Sequence, residues 1–488
     1  MIIKRVHMGK ANCGLDIGDG SERGEYVCQD YMINTLGRPH RMVNIMYTYY
    51  PKDEKWPARI SEACADMEVA FAWDYPYDDY FPYAENGVQY EQMKDIRRHG
   101  QDVLLTLTID CGLDDDELRK VARTLRTYGR ICIRINHECY GNWFTHNKRY
   151  SYQEIGDFFV RFTKIIKEEA PNVRTIFCAG RVETNPEDGI RQIDETSEQQ
   201  KIKCEDEFLE AYKVADIVSA DRYLALHYGW PYDVAEPDDA NGRYYALGVE
   251  DLYEEYRNTY NRLKTIAGDK PFIQAEFNTD GDVTGPIEQG ESVVRYYKML
   301  RDKNEAFIDG VSMYQFRDRG RLGLEIEDPN NKSVGIPQPI MEDYKEILFD
   351  DFFYPQMISG EEISDSDVDD ILLRWGGAED ADGIEIELLI ESRPVFCEVT
   401  LEKELSLMME FNGKWFYKAP GVETIDLMPV FFKKDAVCKG KLPIRIFATP
   451  CDGENHEDGN KDWDINYRTV MKKAPSFRIR YGMPGKVR

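Results

Sequence analysis

Over roughly the first 350 residues, short apolar runs take turns with longer stretches whose apolar positions recur every three or four residues. The runs are IIKRVHMG (2–9), RMVNIMYTYY (41–50), MEVAFAW (67–73), DVLLTLTID (102–110), RICIRINHE (130–138), VRTIFCAG (173–180), DIVSADRY (216–223), PFIQAEFN (271–278) and IDGVSMYQF (308–316). In RICIRIN, Ile131, Ile133 and Ile135 alternate with Cys132 and Arg134, a β-branched pattern that reads as strand. The intervening stretches read as helices. SYQEIGDFFVRFTKIIKEEAP (151–171) opens on a Ser suited to cap the first turn and stops at Pro171, and DDDELRKVARTLRTYG (114–129) begins with acids and ends on Gly. Segments 248–268 and 291–303 repeat the idea.

Strand and helix alternating in this way predict a parallel sheet with crossover helices, most simply a (β/α)8 TIM barrel over residues 1–350. Nine runs are one too many, and 67–73, set in the Tyr-rich WDYPYDDYFPY, is the surplus. Then 130–138 is strand four and 271–278 strand seven. No GxGxxG follows an early strand, so a dinucleotide fold has no support.

Past 350 the period changes to two. An acidic linker is expected at 351–372, with EEISDSDVDD (361–370) at its centre, and a small antiparallel β-sandwich over 373–488, carried by GIEIELLIES, EVTLEKELSLMMEF, KLPIRIFATP and SFRIRYGM.

Composition narrows the function classes. A net charge of −28 argues against nucleic acid as a partner, because phosphate binding needs clustered Lys and Arg. No run of 18 apolar residues spans a membrane, and MIIKRVHMGK lacks the apolar core of a signal peptide. The 11 Cys follow no zinc or disulfide spacing, so reduced thiols and a cytoplasmic setting are expected, with secretion open if a leader was removed. Oligomeric state is left open.

The chemistry sits at strand ends. His137 and Glu138 close strand four before Gly141, and Glu276 closes strand seven. Two carboxylates at the mouth of one barrel are what glycoside hydrolysis requires: one donates a proton to the leaving oxygen, the other attacks or supports the anomeric carbon. Many of the 31 Tyr cluster in strand-to-helix loops, where Trp73 and Trp230 are candidates for sugar stacking or for loop packing. Trp375, Trp415 or Trp463 offer the sandwich a carbohydrate-binding role, or simply pack it on the barrel. DGDVTGPIEQGE (280–291) places Asp280, Asp282 and Glu291 at calcium-loop positions, a weak match without a preceding helix, and an acidic surface loop is the plainer reading. No metal or other cofactor is expected.

The pattern R-x-x-H-E-x-x-G-x-W-F, present as Arg134, His137, Glu138, Gly141, Trp143 and Phe144, resembles the acid/base segment of glycoside hydrolase family 26, in the clan of retaining (β/α)8 glycosidases that includes β-mannanases. YKVADIVSADRY (212–223) and KPFIQAEF (270–277) resemble that family's strand-six and strand-seven segments. The resemblance implies Glu138 as acid/base, Glu276 as nucleophile, Arg134 and Tyr223 as donors to the nucleophile, His137 beside the scissile bond, and Trp143 as a stacking floor. Departures fall where the family binds sugar: Asp110 replaces a strand-three His, FCAGRVETN replaces a strand-five Trp-Ser motif, and Tyr314, Gln315 and Arg317 stand where strand eight usually shows Trp. The expected substrate is a β-linked oligo- or polysaccharide, β-mannan as first guess. Xylo- or gluco-configured sugars, and a non-catalytic carbohydrate-binding protein on the same fold, are the rivals.

Overall fold

A computed structural model describes residues 2–21, 25–49, 80–81, 87–141, 144–182, 201–227, 244–363, 370–432, 436–453 and 467–482. Eight parallel strands close on themselves: β1 (Gly14–Gly18), β2 (Met42–Tyr49), β3 (Asp102–Ile109), β4 (Ile131–Ile135), β5 (Val173–Ala179), β6 (Ile217–Asp221), β7 (Phe272–Phe277) and β8 (Gly310–Met313), with β8 pairing back to β1. Each is followed by a helix, α1 (Gln29–Leu36), α2 (Val88–Arg98), α3 (Asp115–Thr124), α4 (Tyr152–Glu169), α5 (Glu205–Val214), α6 (Val249–Ala267), α7 (Glu288–Lys303) and α8 (Ile340–Leu348). The chain is a TIM barrel.

Local chemistry explains the helix bounds. Ser151 accepts from the Glu154 N–H while the Glu154 carboxylate accepts from the Ser151 N–H, a reciprocal cap that fixes the start of α4. Asp114 caps α3 by a single bond, its carboxylate accepting from the Glu117 N–H. Outward residues of the strands pack on the helices, and the barrel floor is an apolar plug of Met42, Leu104, Cys132, Ile176, Ile217, Ile273 and Ala275. Polar inward side chains lie above that plug, toward the C-terminal mouth.

Two strand assignments need correction. Segment 2–9 does form a strand, Ile3–Gly9, but it runs antiparallel between Gln356–Glu362 and Asp380–Ile390 in the C-terminal domain. The first barrel strand is instead the five-residue GLDIG of β1, all of it buried. Ile3 lies in the sandwich core and Val6 and Met8 in the seam beneath the barrel, so the second domain draws its strands from both ends of the chain. The expected linker at 351–372 likewise contains the strand Gln356–Glu362 and the start of Ile371–Gly377. The segment 67–73 lies outside the described residues.

The C-terminal domain is antiparallel throughout, an eight-stranded sheet and a three-stranded sheet (Thr424–Asp426, Pro394–Thr400, Ser476–Tyr481) sharing one core. Trp375 and Trp415 are buried in its seam with the barrel, and Trp415 Nε1 donates to the Tyr354 hydroxyl at 2.8 Å. They hold the domains together and present no face to a sugar; Trp463 lies outside the described residues. The ten described cysteines are all free, and no described helix is long and apolar enough to cross a membrane.

Candidate active site

Arg134 on β4 is fully buried and organises the mouth from below. Its Nε donates to Thr106 Oγ1 on β3 at 2.9 Å, Nη1 to Asp221 Oδ2 on β6 at 3.0 Å, and Nη2 to Glu276 Oε1 on β7 at 2.6 Å. Three donors from one planar group, each to an acceptor on a different strand, are a job for guanidinium geometry that an ammonium cannot do. Glu276 is held on its other oxygen by the Tyr223 hydroxyl at 2.6 Å.

A register slip aims Glu276. Along β6 and β7 the pairs run Gln274 with Ala220, then Glu276 with Asp221, leaving Ala275 unmatched. This bulge puts two successive side chains inside the barrel, Ala275 in the floor and Glu276 above it. Without it Glu276 would alternate outward onto the helices.

Glu138 comes from the other side. After β4 the chain takes left-handed backbone at Asn136 (φ 44°) and again at Glu138 (φ 50°), which turns the carboxyl back across the mouth. One oxygen each of Glu138, Asp221 and Glu276 lie within 4.8 Å of one another. Among the described residues this is the one trio of potential metal ligands so gathered, yet Arg134 already stands against two of its members and supplies the positive charge there.

Burial and nearby charges set the protonation of the neighbours. Burial pushes Asp221 up to about 7, with Arg134 opposing and Glu276 reinforcing the shift. Its Oδ2 also accepts from Cys178 Sγ on β5 at 2.9 Å, while Oδ1 is buried without a hydrogen-bond partner. Burial, then the Arg134 charge, holds His137 well below the usual histidine range, so it is a neutral imidazole. Its Nε2 lies 3.9 Å from Glu276 Oε1 and its ring tilts against Phe144 at 4.7 Å.

The structure thus brings Arg134, His137, Glu138, Tyr223 and Glu276 together. Tyr314 joins them, edge-on to Tyr223 at 5.6 Å, and the Tyr314–Gln315 peptide is cis. Gln315 is buried and donates to Asp318 Oδ1 at 3.1 Å. Arg317, the third strand-eight departure, donates from both Nε and Nη2 to Glu325 Oε2. Asp110, at the end of β3, is taken up by the segment that follows β4, accepting from Arg149 and the Tyr150 hydroxyl at 2.5 Å each, and by its own loop through the Gly112 N–H at 2.7 Å. Trp73, Trp143 and Trp230 lie outside the described residues.

The calcium-loop spacing does not gather its ligands. Asp280 caps a four-residue helix (Gly281–Thr284), Asp282 pairs with Arg321 at 3.0 Å, and Glu291 sits in the first turn of α7. Sequence reading passed over Thr106, Cys178 and Asn136, and gave Asp221 no role. Asp221 carried a legible signal, an acid at a strand end two residues before Tyr223; Cys178 carried none.

No protein-family model matches the chain, and no curated protein matches it in sequence. Among solved structures it is similar to an α-L-arabinofuranosidase from Thermotoga maritima (9% identity, 97% of each chain covered, TM-score 0.43). A glucosidase from Croceicoccus marinus is also similar (10% identity, covering 91% of this chain and 96% of that one, TM-score 0.43). So is a family 39 glycoside hydrolase from Bacteroides cellulosilyticus (12% identity, 89% and 81% covered, TM-score 0.40).

Proposed function

We propose that this chain is a retaining β-glycosidase working by double displacement, with Glu276 as nucleophile and Glu138 as acid/base. The observation that carries the reading is the pairing itself: Glu276 gripped by Arg134 and Tyr223 at 2.6 Å each, with a Glu138 oxygen within 4.8 Å. Separations near ~5–5.5 Å belong to retention, because they leave room for a sugar carbon but none for a water between carboxylate and sugar.

Two donors and no acceptor face Glu276 in those contacts, the surroundings of a carboxylate that attacks. As its oxygen bonds to the anomeric carbon, Glu138 gives its proton to the departing glycosidic oxygen. Water then attacks the glycosyl ester, Glu138 takes that water's proton, and the sugar leaves with its configuration kept. His137, neutral and 3.9 Å from the Glu276 carboxylate, is placed to touch the sugar without adding charge.

For the sugar, a β-linked oligo- or polysaccharide is proposed, manno-configured as first choice on the strength of the Arg134–Phe144 motif. The altered Asp110, Tyr314 and Gln315 make gluco- and xylo-configured substrates the next to try. Hydrolysis of a panel of aryl β-glycosides and β-linked oligosaccharides by wild type beside Glu276→Ala tests this. Release by wild type alone supports the reading and names the configuration; binding without release by either would favour a non-catalytic carbohydrate-binding role.

A further inference from the structure

We infer that Asn136 is the positioning residue for the acid/base: its side-chain amide stands in for a rung of the barrel ladder and so frees the backbone to swing Glu138 across the mouth. The inference rests on the proposed role of Glu138.

The β3–β4 ladder pairs residues as far as Leu107 with Ile135, and the Asn136 N–H still donates to the Leu107 carbonyl at 3.2 Å. Beyond that point the chain leaves the sheet. Ile109 would be left with its N–H and C=O facing nothing on β4, inside a closed barrel where neither group reaches water. The Asn136 amide meets both: Oδ1 accepts from the Ile109 N–H at 2.8 Å and Nδ2 donates to the Ile109 carbonyl at 2.9 Å. Nδ2 also reaches Cys111 Sγ at 3.5 Å. The carboxamide is thus a surrogate peptide group, with donor and acceptor spaced as a backbone rung would be.

The second half of the device is conformational. Asn136 holds φ 44°, a region that an Asn tolerates better than most L-residues. Two residues on, Glu138 repeats the left-handed turn at φ 50°, and its carbonyl accepts from the Gly141 N–H at 2.9 Å. Glu138 therefore hangs on a short reversed segment with one anchored end at Asn136, which is itself 3% exposed and out of reach of substrate. A Leu here would keep the burial and lose both the ladder and the turn.

Two variants separate the parts. Asn136→Gly keeps the left-handed backbone at no steric cost and deletes both hydrogen bonds to Ile109; Asn136→Asp is isosteric, keeps the acceptor and loses the donor. The readout is kcat/KM on phenyl and dinitrophenyl β-mannosides, or the same pair on whichever sugar wild type hydrolyses, with Glu138→Gln alongside. Phenol leaves only with a proton; dinitrophenol leaves without one. A displaced acid should slow the phenyl glycoside by about 10- to 100-fold, part of the full ~10²–10⁴ of general acid catalysis, and leave the dinitrophenyl glycoside within about threefold. The near-normal dinitrophenyl rate also shows that the variant is folded.

An equal fall on both substrates, or no fall on either, overturns the inference. If Glu138→Gln discriminates between leaving groups and the Asn136 variants do not, positioning alone is wrong. If Glu138→Gln does not discriminate, the acid/base assignment fails and this inference falls with it.

Discussion

Tyr223 donates its hydroxyl to Glu276 at 2.6 Å on the oxygen that Arg134 leaves unoccupied, and its ring is braced edge-on by Tyr314. The phenol and the guanidinium between them fix the carboxylate's rotation. Tyr223→Phe keeps the ring packing and deletes one donor. Turnover is expected to fall by about 10- to 100-fold, the cost of a hydrogen bond to a charged group at ~1.5–3 kcal/mol. Steady-state kinetics with the melting temperature recorded alongside checks this; unchanged turnover would separate Tyr223 from the chemistry.

Arg134 is the sole charged donor to both Asp221 and Glu276 in the contacts described, and all three side chains are buried. Arg134→Met therefore strands two carboxyls above the apolar floor. Stability should drop by roughly 3–5 kcal/mol, the usual result of breaking a buried ion pair from one side. Urea unfolding measures it, and a midpoint equal to wild type would contradict the arrangement.

Asp221 makes stability depend on pH with a definite sign. Folded, it keeps its proton up to about 7; unfolded, it releases it near the ordinary value of 3.8. Between those limits the folded state binds more protons, so this residue's contribution is complete below the lower value and is lost as pH rises through the upper one. The full slope for one proton is about 1.4 kcal/mol per pH unit. Asp221→Asn abolishes it. Melting curves of both proteins across that window should show wild type losing more stability with rising pH than the variant; parallel curves would mean Asp221 is ionised throughout.

The N-terminal strand belongs to the far domain, and removing it should show as much. A chain beginning at Lys10 loses Ile3, Val6 and Met8, each buried and each worth about 1.5–3 kcal/mol. Limited proteolysis should open first Gln356–Glu362, which loses its one strand partner, and then the newly bared side of Asp380–Ile390, while β1–β8 stay protected. Early cutting within the barrel would contradict the assignment.

The sequence made some of this legible and hid the rest for physical reasons. Alternating runs and helix stops announced the barrel, because burial period and capping are local properties; Ser151 caps where its position said it would, and the acids from 114 on do open a helix. Which partner a strand chooses is not local. IIKRVHMG has sound strand alternation, and nothing in it tells whether its neighbour is 30 or 370 residues away, whereas GLDIG, with glycine at both ends, hardly reads as a strand at all.

The carboxylate pair was visible as two strand-end acids, but its aim was not. Glu276 faces inward through the slip at Ala275, which no periodicity announces. Asp280 and Asp282 carried calcium-loop spacing and were claimed by a helix start and by Arg321, since spacing fixes separation along the chain and not convergence in space.

The central claim is that Glu276 becomes covalently bonded to sugar. Incubation with a 2-fluoro glycosyl fluoride of the configuration the protein accepts slows the second step and lets that ester accumulate. Mass spectrometry of the intact chain and its proteolytic peptides should then find one added fluorosugar, on the peptide carrying Glu276, absent in Glu276→Ala. An active protein that never takes up the label, and releases product with inverted configuration, would contradict the account.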